Sequence, residues 1–273
     1  MRRYTWRTGL LEVGMVLAGL LFMVPVYLLV NIAIRPVSSP DSPLVPTTTP
    51  TLENFTTVWV SGDLGRAMLN SLAVTILSLV FIIAISALAS YPLARISSWW
   101  SRGVYLLFMI GLLLPFQLGF IPLYQTLNSL NLLGTIWSLV LLYAGHQVPF
   151  TTFLYVSFLR ALPQDYEEAA LIDGCVPFQA FTRVVFPLLR PVTATVVILN
   201  VILIWNDFMS PLLYLGGSEN QTIPVAIYGF VNEWETVWPV VFAGLIIGLL
   251  PVLAAFFALQ GRIMQGFSLG TKG

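Results

Sequence analysis

Apolar residues in this chain come in long unbroken runs, separated by short polar clusters. A helix that crosses a bilayer needs about 20 predominantly apolar residues. Six runs meet that length, at 10–33, 70–94, 103–125, 134–158, 193–214 and 238–260. None alternates apolar and polar positions as the strands of a membrane barrel do. The pattern therefore predicts an all-α polytopic membrane protein, six transmembrane helices in one domain covering 1–273. The first run follows a basic head, as in a signal peptide. Val13–Val30 outlasts an h-region of about 7–15 residues, however, and no small-residue cleavage site follows, so it reads as a retained helix.

Composition agrees. Of 273 residues 58% are hydrophobic and 9% charged, against about 25% charged in globular domains. Net charge is zero, which gives no bulk attraction to nucleic acid. The single cysteine, Cys175, excludes an intrachain disulfide and a multi-cysteine metal site, and reads as a free thiol.

The twelve Lys and Arg set the orientation. Arg2, Arg3, Arg7, Arg95, Arg102, Arg160, Arg183, Arg190, Arg262 and Lys272 fall on one side of the predicted spans, and only Arg35 and Arg66 on the other. Basic loops stay inside, so both termini are expected in the cytoplasm. On the outer side, "PVSSPDSPLVPTTTP" at 36–50 reads as an extended loop. The segment 215–237 is acidic and aromatic, with Glu219, Tyr228, Phe230, Glu233, Trp234 and Glu235, and Trp238 just beyond. It reads either as a headgroup belt or as a docking surface for an external partner. N-x-T occurs at Asn54 and Asn220, where chance matches are expected.

One inner segment breaks the apolar pattern. "DYEEAALIDG" puts Asp165, Glu167, Glu168 and Asp173 into ten residues. The connection around it runs about thirty residues, against about 2–8 for ordinary helix–helix links. Pro163 opens a helix, early carboxylates suit its dipole, and Asp173–Gly174 ends it. Pro177 starts a second helix, on which Phe178, Phe181, Val184 and Val185 share one face. Two short helices joined by a glycine elbow either lie on the membrane or form a lever that docks into a cytoplasmic partner.

The stretch "EEAALIDGCVPFQAFTRVVFPLLRP" closely resembles the EAA loop of binding-protein-dependent ABC importer permeases, through Glu168, Ala169, Ala170, Asp173, Gly174 and Pro187. The regions "GFIPLYQTLNSLNLLGTIWSLVLLYAGHQVPFTTFLYVSFLRALP", "WNDF" and "GRIMQGFSLGTKG" are similar to the sugar-importing, MalG-like branch. Cys175 stands where the family commonly has alanine. The resemblance implies a type I importer permease fold and a coupling loop, about 161–190, seated on an ATP-hydrolysing subunit. Glu168, Ala169, Ala170, Asp173, Gly174, Phe178 and Pro187 would carry that coupling. It further implies a second homologous permease, an ATPase dimer that binds ATP and Mg, an extracytoplasmic binding protein, a sugar substrate, and a bacterial or archaeal cell membrane.

The residues are consistent with a non-enzyme. A P-loop needs a lysine after its glycines, and the only lysine is Lys272; H-E-x-x-H and G-x-S-x-G are absent. No cofactor or metal is expected on this chain. Polar residues within spans mark a path or an interhelical contact: Asn200, Trp205, Asn206 and Asp207 in the fifth, His146 and Gln147 in the fourth, Gln117 and Tyr124 in the third. No Lys or Arg lies within a span, which favours a neutral solute. A polyol or glycerol phosphate cargo is the alternative, and an ion-coupled secondary transporter or an intramembrane enzyme using His146 and Asp207 stand further off. "GLIIG" at Gly244–Gly248 marks close helix packing, either on a second permease or within this chain.

Overall fold

The computed structural model describes residues 6–231 and 236–270. All regular structure among the described residues is helical. In chain order the helices are α1 (Trp6–Ala33), α2 (Glu53–Ser61), α3 (Leu64–Arg95), α4 (Trp99–Leu113), α5 (Phe120–Ser129), α6 (Ile136–Ala161), α7 (Asp165–Ile172), α8 (Pro177–Ala180), α9 (Phe186–Leu188), α10 (Arg190–Asn206), α11 (Met209–Tyr214), α12 (Ile223–Tyr228) and α13 (Trp238–Gly270). A 3₁₀ turn, Phe116–Gly119, precedes α5, and a π-helical stretch, Phe181–Val185, joins α8 to α9. Arg2, Arg3, Glu233, Trp234, Glu235 and Lys272 lie outside the described residues.

Four helical stretches are long and apolar enough to cross a membrane: Thr8–Ala33, Leu64–Arg95, Ile136–Ala161 and Trp238–Ala255. The count rises to six when each of two bent pairs is taken as one span, Trp99–Leu113 with Phe116–Ser129 at 96° and Pro177–Leu188 with Arg190–Asn206 at 70°. The third predicted span is thus not a straight rod, and the 70° bend lies at Leu189, before the fifth predicted span begins. Pro115 forces the first bend. A residue before proline is driven out of the α region, and Leu114 is extended at ψ 128°. The run 193–214 breaks as well, because α10 stops at Asn206, Asp207 is extended at ψ 126°, and α11 begins at Met209. By contrast α6 runs through Pro149 unbroken.

The chain divides into two compact units, Met1–Gly65 with Ile223–Pro251, and Arg66–Thr222 with Val252–Gly273. In the first, α1 exposes Leu10, Leu17, Leu20, Leu21 and Phe22, an apolar surface suited to lipid. The loop 36–50 is not extended. It makes turns at Pro36–Ser39 and Ser42–Val45 and wraps around two buried side chains. Arg35 donates to the carbonyls of Asp41, Ser42 and Val45. Asn31 donates to Pro43 and Val45 and accepts from the amide of Thr47. Asn54 is buried and donates to the carbonyls of Ala33 and Arg35, so its N-x-T is structural. The "GLIIG" alternatives also separate. A Cβ on Gly244 would lie 3.0 Å from Ile227 Cγ1 and 3.1 Å from Val58 Cγ2, and one on Gly248 would lie 3.0 Å from Ile223 Cγ2. These glycines pack within this chain.

In the second unit α6 is the central helix. Leu139, Leu142 and Tyr143 bury against Val74, Ile82, Leu127, Ile204, Tyr214 and Leu215. Further along, Tyr155 and Leu159 bury against Ala87, Phe181, Val185, Leu189, Val192 and Val196. The second cluster carries the loop helices, so one rigid helix supports both candidate sites.

Candidate functional site

The two chain breaks open a cavity beside α6. It holds about 460 Å³ and is walled by Phe116, Gln117, Phe120, Tyr143, His146, Asn206, Asp207 and Ser210, with Ile202, Leu203 and Met209. Four predicted path residues, Gln117, His146, Asn206 and Asp207, therefore meet in one wall. A second cavity of about 360 Å³ shares His146 and Leu203 and adds Gln147, Phe150, Leu199 and Asn200. Trp205 is buried and Tyr124 lies out on α5, and both line neither cavity.

Each polar group has a defined capacity. Asp207 Oδ2 accepts from the Tyr143 hydroxyl at 2.9 Å, and Oδ1 accepts from the Ser210 amide at 3.3 Å. Its carboxylate is engaged in holding the break between α10 and α11. Asn206 donates to the Ile202 carbonyl at 2.7 Å, leaving Oδ1 to accept. The Gln147 amide nitrogen sits 3.2 Å from His146 Nδ1. An amide N–H only donates, so in this arrangement Nδ1 accepts and the imidazole proton sits on Nε2. The His146 ring stacks on Phe116 at 3.9 Å, and Phe116 meets Phe120 edge-on at 5.1 Å. The wall thus joins a flat aromatic platform to amide and imidazole groups. Asn200 donates to Val196 at 2.8 Å while its Oδ1 stays buried and unpaired.

The acidic segment builds a second surface. Helix α7 ends as the two-helix reading expects. Gly174 takes φ +89°, the Cys175 amide donates to the Ala170 carbonyl, and the Gly174 amide donates to Leu171. This paired C-terminal cap needs a left-handed residue, for which glycine has no Cβ penalty. On either side of it, Ile172 is 86% exposed and Phe178 65%, with Leu171 and Val176 also outward. Glu168, Ala169 and Asp173 are exposed, whereas Ala170 is buried. The expected shared face of Phe178, Phe181, Val184 and Val185 does not form. The π-helical stretch starts at Phe181, and its wider turn changes the register. Phe181 and Val185 turn inward while Phe178 stays out. Pro187 lies in the first turn of α9.

Comparison with known proteins decides the family. Residues 82–267 match the model of the binding-protein-dependent transport system inner membrane component. The chain belongs to this permease family. The melibiose/raffinose/stachyose import permease protein MelC of Bacillus subtilis is 30% identical over 248 residues, covering 90% of this chain and 90% of that protein. The multiple sugar-binding transport system permease protein MsmG of Streptococcus mutans is 30% identical over 272 residues, covering 98% and 96%. A crystal structure of a bacterial ABC transporter that imports the acidic polysaccharide alginate contains a chain of the same fold. It aligns at TM-score 0.81 with 20% identity, over 96% of this chain and 99% of that one.

As an inner membrane permease, the protein is a non-catalytic transport subunit. Several of its site residues escaped the sequence reading. Phe116 and Phe120 flank Gln117 in "PFQLGF", and Tyr143 precedes His146 by one helical turn, so the spacing alone could have found them. Glu167 is different. Its partners, Tyr91 and Arg95, lie on another helix more than seventy residues away, and no local pattern links them.

Proposed function

We propose that this permease is a membrane-spanning subunit of an ATP-driven ABC importer that passes a neutral mono-, di- or oligosaccharide from an extracytoplasmic binding protein into the cytoplasm. It works beside a homologous second permease and above an ATPase dimer, which binds ATP and Mg. Both termini face the cytoplasm of a bacterial or archaeal cell, and the whole chain acts as one permease domain.

The observation that carries the reading is the glycine elbow. It holds Glu168, Ala169, Asp173, Ile172 and Phe178 outward, while its inner side is anchored in the core. Small residues let a partner approach closely, the carboxylates pair with basic groups, and the apolar tips need cover. The cavity supports the cargo class. Its wall offers an aromatic platform and hydrogen-bonding amides and, among the described residues, no Lys or Arg, chemistry suited to sugar rings and hydroxyls rather than to carboxylates. The relatives named for sugar import support the same class.

The test is purification from native membranes in mild detergent, with co-purifying chains identified by mass. We expect an ATPase and a second permease with the native chain, and loss of the ATPase with Gly174→Pro, which removes the capping N–H and forbids the positive φ. A native chain that emerges alone, from membranes in which other complexes survive, would overturn the assignment.

A further inference from the structure

The inner side of the loop is built as carefully as its outer side. Glu167, the first residue of the stretch that resembles the EAA loop, is buried on α7. Its Oε1 accepts from Arg95 Nε at 2.8 Å and pairs with Arg95 Nη2 at 2.7 Å. Its Oε2 accepts from the Tyr91 hydroxyl at 3.1 Å. Arg95 Nη2 also donates to the Leu162 carbonyl at 3.1 Å, just past the end of α6. Both charged side chains are nearly shielded from solvent, at 11% and 9% exposure. The Tyr91 ring packs on Phe181 at 5.1 Å. The last turns of α3 therefore hold both arms of the loop, α7 through Glu167 and the π-helical stretch through Phe181, and hold the end of α6 as well.

A buried ion pair is a poor source of net stability, since desolvation offsets most of the attraction. What it provides is a single geometry. One carboxylate receives hydrogen bonds from two side chains as well as the ion pair, so α7 cannot tilt against α3 without leaving a buried charge unpaired. An exposed ion pair at this site would slip.

We propose that Glu167, Arg95 and Tyr91 form a strut that makes the coupling loop move as one body with α3 and α6, so that displacement at the outer surface of the elbow reaches the cavity instead of being absorbed by the loop. Glu167 is a positioning residue, acting through α3 and α6, and it does not touch the ATPase. The inference rests on the proposed coupling role of the loop.

The experiment uses the complete importer reconstituted in liposomes, reading ATP hydrolysed per sugar imported. ATPase retention and thermal stability are measured on the same preparations. For Glu167→Gln we expect the ATPase to stay bound and the ATP-to-sugar ratio to rise by about five- to 150-fold, the range of a lost coupling. Tyr91→Phe keeps the ring on Phe181 and drops the hydroxyl, and should raise the ratio less. The reversed pair, Glu167→Arg with Arg95→Glu, should recover part of the native ratio. Where that double variant does not fold, Tyr91→Phe carries the test. A native ratio in Glu167→Gln would overturn the strut. Loss of the ATPase from Glu167→Gln would overturn it too, since Glu167 would then belong to the docking surface. The underlying reading fails separately, if Gly174→Pro still retains the ATPase.

Discussion

At Gly174 the backbone takes φ +89° and nothing lies within 4 Å of where a Cβ would be placed. Space is available, and the backbone conformation alone selects glycine. A non-glycine residue in the left-handed region costs roughly 1–2 kcal/mol. Gly174→Ala should therefore open the elbow and weaken ATPase retention, measured by quantitative co-purification, while the melting temperature of the isolated permease shifts only slightly. Gly244 presents the opposite case. Its backbone is ordinary helix, but Ile227 and Val58 occupy the space of a side chain. Gly244→Leu should overpack this contact at about 1–3 kcal/mol, lowering the melting temperature in detergent without changing which partners co-purify. At Tyr143 the stake is a single hydroxyl. Tyr143→Phe leaves Asp207 Oδ2 short of its donor, and the break after α10 should loosen at a cost of about 1–3 kcal/mol.

Among the elements, the two interrupted helices do most to shape the cavity. Phe116 and Gln117 face it only because α4 stops at Leu113 and the chain turns at Pro115. With Pro115→Ala the helix is free to continue, carrying the aromatic platform away from His146. The variant should still insert into the membrane, while sugar uptake falls about tenfold or more, the effect of ~1.4 kcal/mol of lost binding. Pro149 has no such effect, because α6 is packed along much of its length and Gly111 of α4 lies against its ring. The two prolines sit in similar sequence surroundings and differ in what packs around them.

At the scale of the whole molecule the predictions concern orientation and cargo. Reporter fusions at the two ends should both signal from the cytoplasm, as the ten-to-two division of basic residues requires. Neutral oligosaccharides should compete for uptake in the reconstituted importer. Uronate oligosaccharides should not, because the cavity wall offers a carboxylate already engaged and, among the described residues, no Lys or Arg. Competition by uronates at equal concentration would remove the neutral-cargo proposal and leave the importer reading standing.

Taken alone, the sequence determined the class of protein, because about 20 apolar residues in a row have no other stable environment than a bilayer or a large core. It determined the glycine-ended acidic helix as well, since caps and dipole preferences act within a few residues. The tertiary structure decided what depends on distant neighbours. It decided that Pro115 breaks a span while Pro149 does not, that Phe178 faces out while Phe181 faces in, and that "GLIIG" packs within the chain. It also decided that Asp207 holds a helix break and that Glu167 meets Arg95. Hydrophobic runs record which medium a segment needs. They do not record which side chain, dozens of residues away, will be near enough to pair with a buried charge.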